Sequence, residues 1–299
     1  MQFFLARHVW SRPWLLLTLA TLLFGINGVA SRLAVHRISP MSLVLGRWLV
    51  VCTVLAVVLR HALKHDRDTL YAHRWRIMAM GGLGFTAFNI LFYLSAYWTT
   101  ALNITLMQAS IPPFVLLGAV LSRKVRVTPM QIAGLVVTLV GVALIATHGE
   151  LLRIGEIEFN PGDLLMLAAS ALYAAYTLAL RDRPAVPPLV FFAALTFAAL
   201  TTSIPAMAVE VAMGRTYWPT VGGLGILAFV AMGPSLTSQV FYMRGIELIG
   251  PARAGLFNNL TPIFGALAAV LLLGEDFHVY HAIALALALG GIWLAESKI

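Results

Sequence analysis

The chain is a succession of apolar stretches separated by short connections that carry Pro, Gly or charge. The stretches run Pro13–Val35, Pro40–Leu63, Arg76–Trp98, Ala101–Leu121 and Pro129–Thr147, then Asp163–Leu180, Pro188–Met213, Thr220–Leu248, Ala252–Leu273 and His278–Glu296. Each is close to the roughly 20 residues that a helix rising 1.5 Å per residue needs to cross hydrocarbon. Backbone N–H and C=O groups cannot stay unpaired in lipid, and runs this long do not suit barrel strands. The expected fold class is an all-α integral membrane protein with ten transmembrane helices.

The connections fix an orientation. With the N-terminus placed inside, the cytoplasmic segments hold Arg7, Arg12, Arg60, Lys64, Arg67, Arg74, Arg76, Arg123, Lys124, Arg126, Arg181, Arg183, Arg244, Arg253 and Lys298, which is 15 of the 20 basic residues. Arg32, Arg37, Arg153 and Arg215 fall on the other side, and Arg47 lies inside a span. This asymmetry puts both termini in the cytoplasm. Trp10, Trp14, Trp75, Trp98, Trp218 and Trp293 fall at span ends, the depth an indole prefers, and Trp48 does not.

Composition removes several classes. With 60% hydrophobic and 11% charged residues and a mean hydropathy of +0.89, a water-soluble domain is excluded. A net charge of +8 could mark a nucleic-acid partner, but the cations sit in loops between spans, so none is expected. Cys52 is the single cysteine, which rules out an intrachain disulfide. Arg7 and Arg12 ahead of Trp14–Phe24 resemble a leader peptide, yet no small-x-small cleavage site closes the stretch before Asn27, so it is read as a retained first helix.

The chain also repeats. A shift of 150 residues brings Pro112 onto Pro262, Phe114 onto Phe264, Ala119-Val120-Leu121 onto Ala269-Val270-Leu271, and Gly141 onto Gly291. A shift of 149 pairs Phe92-Tyr93 with Phe241-Tyr242. Gly81-Gly82-Leu83-Gly84 recurs at Gly222–Gly225, shifted by 141, which suggests an insertion in the eighth span. These matches divide the chain into a five-helix repeat over 1–148, a periplasmic linker over 149–162 and a second repeat over 163–299. An odd number of spans per repeat makes the second enter from the opposite side, and two inverted repeats are an alternating-access architecture with its site near the midplane.

Candidate binding residues are the polar and aromatic groups at that depth: Asn27, Arg47, Asn89, Tyr93, Gln108, Tyr173, Tyr176, Ser235, Gln239, Tyr242, Asn258 and Asn259. Asn89, Tyr93 and Tyr97 share one helix face, as do Ser235, Ser238, Gln239 and Tyr242. Such groups are costly against lipid and turn inward, either to bind a polar or aromatic solute or to join helices. Arg47 suits a carboxylate, and could equally snorkel or pair structurally. Pro112, Pro113 and Pro262 remove backbone donors near mid-membrane and are candidate hinges, or kinks that serve packing. No Asp or Glu falls near the middle of a span, so a midplane carboxylate relay has no support.

Signals for an enzyme are weak. His61, His65 and His73 would stack on a helix, but the Lys and Arg around them disfavour a metal ion. There is no HExxH, no P-loop and no intramembrane Ser-His-Asp set, so no metal, cofactor or nucleotide is expected.

Phe24-Gly25-x-Asn27, Arg47, the stretch Ala101–Pro112, Gly250-Pro251-Ala252-x-Ala254, Pro262, Leu273-Gly274-Glu275 and Gly290-Gly291 together resemble the drug/metabolite transporter superfamily, in its ten-span branch with two EamA-type repeats. Two positions depart from the pattern: Val125 stands where the second repeat has Glu275, and Ala284 where the first has Gly134. Within the superfamily the chain is most similar to bacterial aromatic amino acid exporters of the YddG type. That resemblance implies a multi-pass protein of the bacterial inner membrane whose partners are lipid and a small-molecule substrate, an amino acid such as Phe, Tyr or Trp. A multidrug or other metabolite exporter of the same fold is the alternative, and an intramembrane enzyme or scaffold a more distant one.

Overall fold

The structure, a computed structural model, describes residues 10–122, 128–150 and 160–296. Arg7, Arg123, Lys124, Arg126, Arg153, Lys298, Val125 and positions 151–159 of the expected linker lie outside the described residues. The described residues form helices and turns and no strand. Among the described residues nine helices are long and apolar enough to cross a membrane: α1 (Pro13–Ala34), α2 (Pro40–Val58), α3 (Arg74–Ser95), α4 (Ala101–Leu121), α5 (Pro129–Ala146), α6 (Pro161–Asp182), α7 (Pro188–Ala212), α8 (Val221–Ile249) and α9 (Arg253–Leu273). The shorter α10 (Val279–Glu296) completes ten spans. Pro at the first turn recurs at α1, α2, α5, α6 and α7, where its missing N–H and fixed φ suit a helix start.

One boundary moves by more than three residues. The second span was expected to continue to Leu63, but α2 stops at Val58 and two short helices, Arg60–His65 and Arg67–Ala72, follow it. Arg60, His61, Lys64 and His65 are unsuited to hydrocarbon, so the membrane-crossing helix ends ahead of them.

The two halves exchange equivalent contacts. On α5, a Cβ at Gly141 would lie 2.8 Å from the Ala284 carbonyl of α10. On α10, a Cβ at Gly291 would lie 2.6 Å from the Gly134 carbonyl of α5. A shift of 150 residues turns the first contact into the second, as a pseudo-two-fold axis requires. The same exchange relates α1 on α8 and α9 to α6 on α3 and α4, while α2 pairs with α7. With five spans per half, the axis lies in the membrane plane and the repeats are inverted.

Helix irregularities obey the same symmetry. A π-helical stretch spans Gly82–Ala87 in α3 and another spans Ala231–Thr237 in α8, related by 149 residues. The recurrence of Gly81–Gly84 at Gly222–Gly225 is therefore out of register, and no insertion is needed in α8. In α4 the α-helix gives way to a 3-10 turn at Gln108–Ser110, since Pro112 cannot donate to the Gln108 carbonyl, which takes the Ile111 N–H instead. In α9 the interruption falls at Asn258 and Asn259, with Thr261 N–H on the Asn258 carbonyl at 3.0 Å ahead of Pro262. The breaks at Gln108 and Asn258 are 150 residues apart.

At the end of the bundle opposite the termini, the halves are tied together. Thr220 N–H donates to the Arg37 carbonyl at 2.8 Å, the Tyr217 hydroxyl reaches the Ile38 carbonyl at 3.1 Å, and Tyr97 meets Tyr217 at 2.8 Å. Glu275, just past α9, accepts from the Ala101 and Leu102 N–H groups at the start of α4, both at 2.8 Å. Six of the seven tryptophans are exposed and sit at span ends, whereas Trp48 is buried.

Candidate functional site

The π stretches of α3 and α8 and the breaks of α4 and α9 surround a cavity of about 220 Å³ at mid-bundle. That size suits a small metabolite more than a drug-sized ligand. Breaks of this kind are tolerated at membrane depth where the backbone lines a cavity. The ties at the far end lie on one side of it, while Gln239, Asn258, Asn259 and Ile292 extend its lining toward the end that holds the termini.

Arg47, seven residues into α2, reaches the cavity and is 5% exposed. Its Nε–H donates to Ser235 Oγ at 2.5 Å, and its Nη1 donates to Asn89 Oδ1 at 2.5 Å and to the Tyr93 hydroxyl at 2.6 Å. The guanidinium also lies 5.0 Å from the Trp48 ring centroid. All of these partners are neutral, and no carboxylate lines the cavity among the described residues. The outward snorkelling weighed from sequence does not occur. The π turn supplies one of the partners: Ser235 hands its own proton to the Val230 carbonyl five residues back and so presents its lone pairs to Arg47.

A second set of groups is buried without a partner inside the protein. Asn27 Oδ1, Trp48 Nε1 and Gln108 Nε2 belong to residues that line the cavity, and none makes a hydrogen bond there. Buried polar atoms are costly when unpaired, so such a cluster marks where a ligand's polar groups fit. The remaining wall is aromatic. Phe85 stacks on Trp48 at 4.9 Å between centroids, with 9° between the ring planes, and Phe88, Tyr173 and Phe24 line neighbouring positions.

Of the residues singled out from sequence, Asn27, Arg47, Asn89, Gln108, Tyr173, Ser235, Gln239, Asn258, Asn259, Pro112 and Pro262 line the cavity. Tyr93, Tyr176, Tyr242 and Pro113 do not. Tyr93 is held behind Arg47 by the hydrogen bond described above. Tyr176 is wedged against Phe85 and Tyr173, each at 5.3 Å, with Gly84 leaving it room. The Tyr242 hydroxyl accepts from Asn258 Nδ2 at 2.8 Å and orients that amide. Tyr97 shares a helix face with Asn89 in sequence but lies beyond the end of α3, in the far-end tie to Tyr217. Trp48, Phe85, Phe88 and Pro234 were not anticipated. Trp48's position, away from either span end, was the one available signal.

Comparison with known proteins agrees with this geometry. The transporter YyaM of Bacillus subtilis is 23% identical over 274 residues, covering 90% of this chain and 88% of the relative. The inner membrane transporter YicL of Salmonella typhimurium is 26% identical over 273 residues, covering 87% and 86%. A solved crystal structure superposes with a TM-score of 0.64 at 19% identity, over 94% of this chain and 95% of the other, and so shares the fold. The profile of the EamA-like transporter family matches twice, at residues 12–147 and 160–296. With each half matched in turn and the cavity lying between them, the chain belongs to the EamA-like transporter family.

Proposed function

We propose that the protein exports amino acids, aromatic ones foremost, from the cytoplasm across a bacterial inner membrane by alternating access. The observation that carries this reading is Arg47: a buried guanidinium at the cavity whose protein partners are all neutral. A buried charge is costly until it is compensated, and a substrate carboxylate would supply the missing anion in the paired geometry a guanidinium favours. The Trp48 N–H and the Gln108 amide are further donors for such a group, and the Asn27 oxygen is an acceptor suited to an ammonium. The Phe85, Phe88, Tyr173 and Phe24 rings offer edge and face contacts to an aromatic side chain.

The positive-inside asymmetry supports cytoplasmic termini, which would make the closed far end periplasmic and the conformation inward-facing. A cationic drug would call for a carboxylate in the lining, and among the described residues that line the cavity none is a carboxylate, which favours the amino acid reading. The test is uptake into proteoliposomes of an aromatic amino acid against two analogues, its decarboxylated amine and its carboxylate ester. Competition by the amino acid with none by the amine or ester is expected. Equal competition by all three would remove Arg47 from substrate recognition.

A further inference from the structure

A second concavity, of about 350 Å³, lies on the outer face of the bundle at the end that holds the termini. Cys52 and Ala56 of α2 and Ala193, Ala194, Phe197 and Ala198 of α7 form its walls. Phe197 is 60% exposed, and Val57 and Val58 on the neighbouring turn are 67% and 68% exposed, so this face meets hydrocarbon. Two helices that touch through alanines leave a furrow between the larger side chains on either side, of a shape that admits a flexible chain.

The furrow's mouth is basic. Arg67, from the connector between α2 and α3, and Arg74, the first residue of α3, line it. Successive i to i−4 bonds, Leu63 to Leu59, Asp66 to Ala62, Leu70 to Asp66 and Ile77 to His73, keep this connector helical. Leu63 and Leu70 therefore pack inward, while Arg60, Lys64, Arg67 and Arg74 recur at helical spacing. Positions 60 to 76 hold five cations against two carboxylates, Asp66 and Asp68, and among the described residues only Arg76 of the five reaches a carboxylate outside the segment, that of Asp182 at 3.6 Å. Arg67 is tied to Asp68 through a pair in which both side chains are largely exposed, a contact easily exchanged. The Arg74 guanidinium is 4.3 Å from the Tyr71 ring and 5.6 Å from that of Trp75, which is exposed as an interfacial indole is.

We infer that this furrow holds one anionic phospholipid, with an acyl chain along the alanine wall and the phosphate on Arg67 and Arg74. Apolar walls open to lipid call for a hydrocarbon chain, and the cationic mouth calls for an anion. A bilayer phospholipid carries both in one molecule, at the right depth. A free phosphate would leave the furrow unfilled, and a zwitterionic lipid would leave the cations uncompensated.

Native mass spectrometry of the purified protein in detergent, with phosphatidylglycerol and phosphatidylcholine of matched acyl chains at equal concentration, reads the preference directly. Each cation near the surface contributes about a fivefold preference for an anionic headgroup, so two predict roughly 25-fold more phosphatidylglycerol adduct. In Arg67→Gln/Arg74→Gln the ratio should fall to near one, whereas Arg12→Gln, remote in sequence from the furrow, should leave it unchanged. Ala194→Phe, which fills the furrow, should lower adducts of both lipids without touching the cations. Melting temperature should rise with phosphatidylglycerol and stay constant with inorganic phosphate. Equal adducts of the two lipids on the unmodified protein, a preference that survives loss of both arginines, or a shift reproduced by inorganic phosphate alone would overturn the assignment.

Discussion

Replacing Glu275 should open the far end of the transporter. Its carboxylate accepts from two consecutive N–H groups, those of Ala101 and Leu102, at 2.8 Å each, and sits at the positive end of the α4 dipole. A hydrogen bond to a charged group contributes about 1.5–3 kcal/mol, and the site is only half-buried, so the pair stabilises closure by ~3 kcal/mol. Glu275→Gln keeps one acceptor, turns an amide N–H toward the second donor and loses the charge, for a loss of ~1.5 kcal/mol. At 1.4 kcal/mol per decade, the closed-to-open ratio at that end should drop about tenfold. The symmetry-related position is Val125, which has no carboxylate, and the residue matching Ala101 is Pro251, which has no N–H. The opposite closed state thus cannot form the equivalent clasp, and Glu275 should bias the resting protein toward closure at its own end. The assay places a reporter, Ala109→Cys, in the cavity of a Cys52→Ser protein and measures labelling by a membrane-impermeant maleimide in oriented vesicles. Labelling from the far side should accelerate about tenfold in Glu275→Gln and slow from the side of the termini. Unchanged labelling from both sides in a variant that melts lower would refute the clasp and reduce Glu275 to a helix cap.

Three further outcomes follow from the same geometry. Arg47→Lys keeps a charge but loses the forked contacts to Ser235 and Asn89, so KM for an amino acid should rise at least tenfold, a cost of ~1.4 kcal/mol, in flux assays on protein of normal elution profile. Pro112→Ala with Pro113→Ala returns two backbone donors to α4; the melting temperature should rise while maximal flux falls, and unchanged flux would deny the break a part in the cycle. Gly291→Val places a side chain against the Gly134 carbonyl and the Thr138 backbone of α5, at 2.6 and 2.7 Å from its Cβ, and should cost ~2 kcal/mol or more, whereas Gly290→Ala, with nothing within 4 Å, should melt as the parent does.

The spans were legible because a membrane-crossing helix needs a long apolar run whatever packs against it, and a charge ends it. The one boundary that moved by more than three residues, at Val58, fell where Leu59, Ala62 and Leu63 continue the apolar pattern around Arg60. The out-of-register match of the glycines in α3 and α8 shows the limit of sequence self-comparison. A run of Gly matches anywhere in such an alphabet, whereas the π turns, at a shift of 149, are defined by hydrogen bonding that no residue type spells out. Polarity revealed most of the cavity, because amides and Arg47 have few places to go in a bundle. Depth behind the cavity wall was not legible: Tyr93, Tyr176 and Tyr242 share helix faces with lining residues yet stand one layer back. Trp48, Phe85 and Phe88 were not read as lining for the opposite reason, since an aromatic ring in an apolar span reads as core until its neighbours are known, even where, as at Trp48, its depth is unusual.

The central claim is that the cavity recognises an amino acid through its carboxylate at Arg47 and its aromatic ring at the Phe85 wall. The most direct measurement is flux of radiolabelled phenylalanine in proteoliposomes, compared with empty vesicles and with the Arg47→Gln protein. The account predicts saturable flux, competed by tryptophan and tyrosine more than by aliphatic amino acids, and absent with Arg47→Gln. Flux at the empty-vesicle level, with and without a proton gradient, or flux that persists in Arg47→Gln would contradict it.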